Sequence, residues 1–205
     1  KKVISTKELM DEGTIANLSI DCVILRHTKQ KKTTYVDEMD YLVSHEGRND
    51  FICNLVYSLK GNTLVLFQYV EKHGAVLHNK MMKRLDDQLH YVYGGTDVKD
   101  REEVRVLVEK ANDNVILASY GTFSTGVNIK KIDNVVFASP SKSRIRNLQS
   151  IGRGLRKAEG KTTMRLFDIA DDLQCNNYTL KHLKERINIY NEEGFSYEIK
   201  QFNLK

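Results

Sequence analysis

The chain has 205 residues, 40% of them hydrophobic and 29% charged, with a formal net charge of +5, enough for one sizeable domain with its own core. No stretch reaches the length of a membrane span, and the opening KKVISTKELMDEG lacks the apolar core of a signal peptide, so the expectation is a soluble, cytoplasmic protein with no membrane partner. Cys22, Cys53 and Cys175 lie far apart without C-x-x-C spacing, and the histidines are scattered, so neither a disulfide framework nor a zinc site is indicated.

The first strand candidate is SIDCVILR, residues 19–26. TYVDEMD (34–40) imitates a D-E-x-D box, but Tyr35 to His45 reads as an amphipathic helix that turns Met39, Leu42 and Val43 inward. Ile52, Leu55, Val56 and Leu59 repeat at i, i+3, i+4, i+7 and predict a second helix. NTLVLFQY (62–69) is a strand, 71–88 a helix, and LHYVYGG (89–95) a strand. The periodic set Val104, Leu107, Val108 and Ala111 then predicts another helix, followed by the strands NVILASY (114–120) and NVVFASP (134–140). A helix over 141–156, the strand TMRLFDIA (163–170), a helix over 177–191 and the strand FSYEIKQF (195–202) complete the chain. Strands alternating with helices imply an α/β fold, a mainly parallel sheet flanked by helices on both faces. Ligands collect at the carboxyl ends of such strands, so function belongs in the loops that follow them.

Two of those loops carry chemistry. GTFSTGVNI, after NVILASY, offers glycines for close backbone approach and the hydroxyls of Ser119, Thr122, Ser124 and Thr125, short donors suited to phosphate or ribose oxygens. SKSRIRNLQSIGRGLRK, after NVVFASP, places Gln149, Arg153 and Arg156 four and then three residues apart, hence on one helix face. Two guanidiniums there can bind a phosphoryl group as it gains charge. Between Ile129 and Lys161 stand nine Lys or Arg against Asp133 and Glu159, an excess that suits a polyanion. Lys142, Arg144 and Arg146 are the candidates there for contacts to DNA. GKTT (160–163) imitates a phosphate loop, but it leaves a helix and leads into a strand, the reverse of the required topology, and its first glycine is misplaced.

ILASYGTFSTGVNI followed by QSIGRGLR resembles motifs V and VI of the superfamily 2 helicases, in the order expected of their second RecA-like lobe. The longer run ASYGTFSTGVNIKKIDNVVFASPSKSRIRNLQSIGRGLRK resembles specifically the phage UvsW-type DNA helicases, with LVLFQYVEKHG where motif IV belongs and YVYGGT at the adjoining DNA-side motif. The resemblance implies that Arg153 and Arg156 are arginine fingers and that Gln149 sits near the γ-phosphate and the attacking water. Gly126 and Asn128 match positions near the nucleotide, with Asn128 standing where Asp is more usual. Ser119 and Thr122 match DNA-backbone contacts in a motif one residue longer than its commonest version; Phe67, Gln68, Gly95 and Thr96 match the nucleic-acid track.

The resemblance further implies that ATP and magnesium are held mainly by a first lobe carrying the phosphate loop and DExH/D box, both absent here. Residues 1–18 are then a connecting segment from that lobe, 19–176 the RecA-like lobe, and 177–205 a helix and strand packed on it. A chain beginning at Lys1 rather than methionine agrees with this. The expectation is a fragment, monomeric by itself and unable to hydrolyse ATP, from an ATP-dependent helicase acting on branched or duplex DNA in recombination, repair or fork processing. Two other readings stay open: a non-catalytic nucleic-acid-binding module on the same scaffold, and a small complete enzyme using GKTT.

Overall fold

The computed structural model describes residues 6–31, 34–125, 129, 131–139 and 163–204. In chain order these form α1 (Thr6–Asp11), β1 (Asn17–Arg26), α2 (Tyr35–Ser44), α3 (Glu46–Ser58), β2 (Thr63–Phe67), α4 (Ala75–Leu85), β3 (Leu89–Val92), α5 (Val98–Lys110), β4 (Val115–Ser119), α6 (Tyr120–Thr125) and β5 (Asn134–Phe137). After the undescribed segment come β6 (Thr163–Asp172), α7 (Tyr178–Glu192) and β7 (Tyr197–Asn203).

The seven strands form one sheet in the order β3-β4-β2-β5-β6-β1-β7, and every pairing is parallel. Consequently all the carboxyl ends lie on one edge. Strand side chains alternate between two cores. On one face Ile20, Cys22, Leu64, Leu66, Ile116, Ala118, Val135, Phe137 and Leu166 pack with Val108 of α5 and Leu183 and Tyr190 of α7. On the other, Val23, Leu25, Val65, Phe67, Leu117, Val136 and Ile169 meet Ile52, Cys53 and Val56 of α3 and Leu77 and Met81 of α4. The central strands β2, β4 and β5 are buried at every position, as a parallel sheet covered on both faces requires.

The seven strand candidates and the helix over Tyr35 to Ser44 are present; the differences lie at the ends. The helix expected over 71–88 is three pieces: a π-helical turn at Val70–Gly74, α4, and a 3-10 turn at Asp86–Gln88. The π turn arises where Gly74 runs against the sheet: a Cβ there would stand 2.6 Å from the Phe67 ring and 2.7 Å from the Tyr91 hydroxyl. The DEMD sequence lies inside α2, as its helical period predicted, and Thr34 caps that helix by accepting the Asp37 N–H at 3.1 Å. Buried Cys22 and Cys53 are pushed up to about 12 and about 11, chiefly by burial, so both stay protonated and unreactive at neutral pH. Among the described residues no helix is long and apolar enough to cross a membrane.

Candidate functional site

Parallel register brings the loops named from sequence onto one edge. Phe67, the last residue of β2, pairs with Ser119, the last of β4; Val92 of β3 pairs with Ala118, and Leu66 with Phe137 of β5. The stretch before motif V is therefore flanked by the motif IV strand on one side and the YVYGGT strand on the other.

β4 runs into α6 without a loop, so Ser119 acts as a cap. Its Oγ lies 2.8 Å from Thr122 Oγ1 and accepts the Thr122 backbone N–H at 3.3 Å. Both side chains are buried, at 8% and 4% exposure. They hold the first turn of α6 in place, while Gly121 beside them is open, with nothing within 4 Å of a Cβ built on it.

The YVYGGT turn is braced from within. Thr96 Oγ1 accepts the Tyr93 N–H at 3.0 Å, and the Arg101 guanidinium donates to the Gly94 carbonyl at 3.2 Å. A Cβ on Gly95 would lie 2.8 Å from the Tyr93 ring, so a larger residue there would have to push that aromatic side chain aside. Tyr93 itself stacks into a row with Tyr91 and His78 at centroid separations of 5.1 and 4.9 Å. Burial and the neighbouring Glu71 push the Tyr91 hydroxyl up to about 12, and it donates to the Val70 carbonyl at 3.0 Å. The turn thus sits on this aromatic row with Gly94 and Gly95 exposed at the top.

Phe67 needs a correction. Its side chain is wholly buried beneath Gly74 and Tyr91 and presents no surface for a track. A continuous apolar strand such as TLVLF gives no sequence signal of which residue faces out, because none does. Gln68, next in the chain and partly exposed, is the residue of that pair at the surface.

A polar group that sequence reading missed lies behind this edge. Ser139 follows β5; its Oγ accepts the Gln68 N–H at 3.1 Å and lies 2.8 Å from His73 Nδ1, and its carbonyl accepts the Tyr120 hydroxyl at 2.9 Å. Buried Arg48 of α3 donates Nη2 to the Ala138 carbonyl at 2.8 Å and Nε to Asp171 Oδ1 at 2.9 Å, and His27 also donates to that oxygen at 2.9 Å. Burial pushes the Asp171 carboxyl up, but the Arg48 charge and the His27 hydrogen bond outweigh it and hold the group below the usual carboxylate range. His73, wholly buried beside the Arg48 charge, is pushed down to about 3 and is neutral. The residues are far apart in sequence, and although Gln68 and His73 lie in the motif IV segment and Tyr120 in motif V, no spacing links them to Ser139, Arg48 or Asp171; the available hint was a charged residue, Arg48, within an amphipathic helix.

Gly126, Asn128, Lys142, Arg144, Arg146, Gln149, Arg153 and Arg156 lie outside the described residues, as do the helix over 141–156 and the GKT of GKTT. Among the described residues no group of three or more His, Cys, Asp or Glu is arranged to hold a metal ion.

Comparison with known proteins gives this edge its setting. The model of the helicase conserved C-terminal domain matches residues 47–158, just over half of the chain, from α3 through the undescribed basic segment. The ATP-dependent DNA helicase UvsW of Enterobacteria phage T4 is 34% identical over 99% of this chain, which spans 44% of that protein. The crystal structure of T4 UvsW superposes with a TM-score of 0.79 at 30% identity, over 93% of this chain and 42% of that one. The C-terminal domain of the DEAD-box protein Dbp5 shares the fold at a TM-score of 0.60 and 13% identity, over 92% of this chain and 90% of that domain. The chain therefore belongs to the helicase conserved C-terminal domain family, and its all-parallel sheet is the RecA-like second lobe of a superfamily 2 helicase.

Proposed function

We propose that this chain is the second motor lobe of an ATP-dependent DNA helicase or translocase that acts on branched or duplex DNA in recombination, repair or fork processing. The observation that carries the reading is convergence: the motif IV, YVYGGT and motif V segments end side by side on one sheet edge, inside a chain 34% identical to a DNA helicase over almost its whole length. Gly94, Gly95, Thr96, Gln68 and the first turn of α6 form the DNA track, with Ser119 and Thr122 fixing that turn. Lys142, Arg144 and Arg146 add charge for the phosphate backbone.

Nucleotide is the substrate, shared with a first lobe of the same polypeptide, to which residues 1–18 connect. Gln149, Arg153 and Arg156 offer amide and guanidinium N–H groups, a set that fits phosphate oxygens, and on this reading magnesium is held mainly by the first lobe. Arg153 and Arg156 stabilise charge on the transferring phosphoryl group, Gln149 orients the attacking water, and Gly126 and Asn128 lie beside the nucleotide. The chain by itself does not hydrolyse ATP on this reading.

The test is ATP turnover by the full-length protein carrying Arg153→Ala or Arg156→Ala. An arginine finger contributes roughly a thousandfold or more in phosphoryl transfer, so DNA-stimulated hydrolysis falls by about that factor. DNA binding persists in both variants. Near-normal turnover in both removes the finger assignment, and absence of ATP turnover in the wild-type full-length protein removes the motor reading.

A further inference from the structure

We infer that one water molecule is enclosed among Arg48, His73 and Asp171, accepting N–H groups from the arginine and the histidine and donating to the carboxylate. The inference is independent of the motor reading above: it assigns a ligand to a polar site behind the sheet edge and involves neither DNA nor nucleotide.

Three elements meet at this site. Arg48 comes from α3, Asp171 from the end of β6 and His73 from the π turn after β2, and each is 0% exposed. Arg48 and His73 are anchored on consecutive residues: Arg48 Nη2 donates to the Ala138 carbonyl at 2.8 Å, and His73 Nδ1 lies 2.8 Å from Ser139 Oγ. Arg48 Nε donates to Asp171 Oδ1 at 2.9 Å, which brings the carboxylate to the same place.

Each of the three has a polar atom left over by this pairing. Arg48 Nη1, His73 Nε2 and Asp171 Oδ2 are buried with no hydrogen-bond partner among the described residues, whereas buried polar groups are almost always paired. The protons follow from the partners. The Ser139 hydroxyl accepts the Gln68 N–H at 3.1 Å, and among the described residues its own proton has only His73 Nδ1 to go to. Nδ1 is therefore an acceptor. The ring is neutral, since burial first and the Arg48 charge second push it down to about 3, so its one proton sits on Nε2. What is left over is two donors, Arg48 Nη1 and His73 Nε2, and one acceptor, Asp171 Oδ2.

That set selects the ligand. Chloride would take the two N–H groups but has no proton for the carboxylate. A metal ion or ammonium would suit the carboxylate but has no lone pair for the N–H groups. Nor does the site need an ion, because Arg48 and Asp171 already balance each other. Water accepts two hydrogen bonds and donates two, and enclosed waters hold about three such partners. Placed there, it ties the π turn to α3 and β6 at once.

The test is a crystal structure of the full-length protein, free of DNA and nucleotide, at a resolution that shows ordered water. The expected result is one spherical density peak within about 2.7–3.2 Å of Arg48 Nη1, His73 Nε2 and Asp171 Oδ2. NMR of the same protein with isotope-labelled histidine at neutral pH reads the tautomer independently: His73 Nε2 shows a directly bonded hydrogen and Nδ1 shows none. A well-ordered core without that peak, direct pairing of the three atoms with protein groups, or a proton on Nδ1 overturns the inference. None of those results bears on the motor reading, whose own test is ATP turnover.

Discussion

His73 makes the protein's stability depend on pH in a defined window. The folded ring takes up a proton only near pH 3, whereas the unfolded ring does so at its ordinary value of 6.5. Between those values the unfolded chain holds more protons, so stability falls as pH falls. His45, lowered in the same direction by burial and by His27, adds to the slope. The depressed carboxyl of Asp171 has the usual acid-side sign: its contribution is present above its unfolded value of 3.8 and lost as pH falls through the folded one. At about 1.4 kcal/mol per pH unit, His73 alone accounts for about 2 kcal/mol between pH 6.5 and 5. Urea unfolding at pH 7 and pH 5 checks this: the midpoint falls on acidification, and it falls less in His73→Asn. Equal loss in both proteins removes His73 as the cause. Arg48 and Asp171 belong to the same residue scale, and their pairing was not legible in the sequence. Their positions lie on α3 and β6, and only the completed sheet brings them within 2.9 Å.

Helix α7 begins where α2 lets it begin. Glu38, the glutamate of the DEMD sequence, is fully buried; its Oε2 accepts the Tyr178 N–H at 2.7 Å and its Oε1 the Thr179 N–H at 2.6 Å and the Asn177 side-chain amide at 3.1 Å. A carboxylate at a helix N-terminus satisfies free donors and complements the dipole. Glu38→Ala leaves those buried donors unpaired and costs roughly 1–3 kcal/mol. Amide hydrogen exchange should speed up at Tyr178 and Thr179 more than elsewhere in α7; uniform exchange along the helix counts against the cap. Helical period was enough to remove DEMD from the list of metal boxes, since Met39, Leu42 and Val43 share a buried face. It could not reveal the cap, whose partners lie far along the chain. The same division holds at the site. Strand existence and loop order were legible from apolar runs and punctuation, while the burial of Phe67, Ser119 and Thr122 depended on which neighbours the strands acquired.

At the largest scale the sheet, among the described residues, has β3 and β7 as its edge strands. β7 is largely exposed, with Ile199 and Phe202 partly open, and it shields β1, whose Ile20, Cys22, Val23 and Leu25 are buried. Asp21 ties it on, receiving Lys200 at 2.6 Å and Arg165 of β6 at 3.2 Å. Ending the chain at Gly194 exposes the long β1 as a new edge, and unpaired edges of that kind recruit other chains. Gel filtration of this chain and of the shortened one should show higher-order species in the latter alone; a monodisperse shortened protein argues that β1 is covered by other means. The strand order has a second consequence, in time rather than space. β1 is the first strand of this sheet in chain order, yet both of its neighbours, β6 and β7, come from the last quarter of these 205 residues. At roughly 5–20 residues per second, a ribosome leaves β1 without a partner for on the order of ten seconds. A strand with an apolar centre therefore waits, and its safe passage depends on how quickly the last strands arrive.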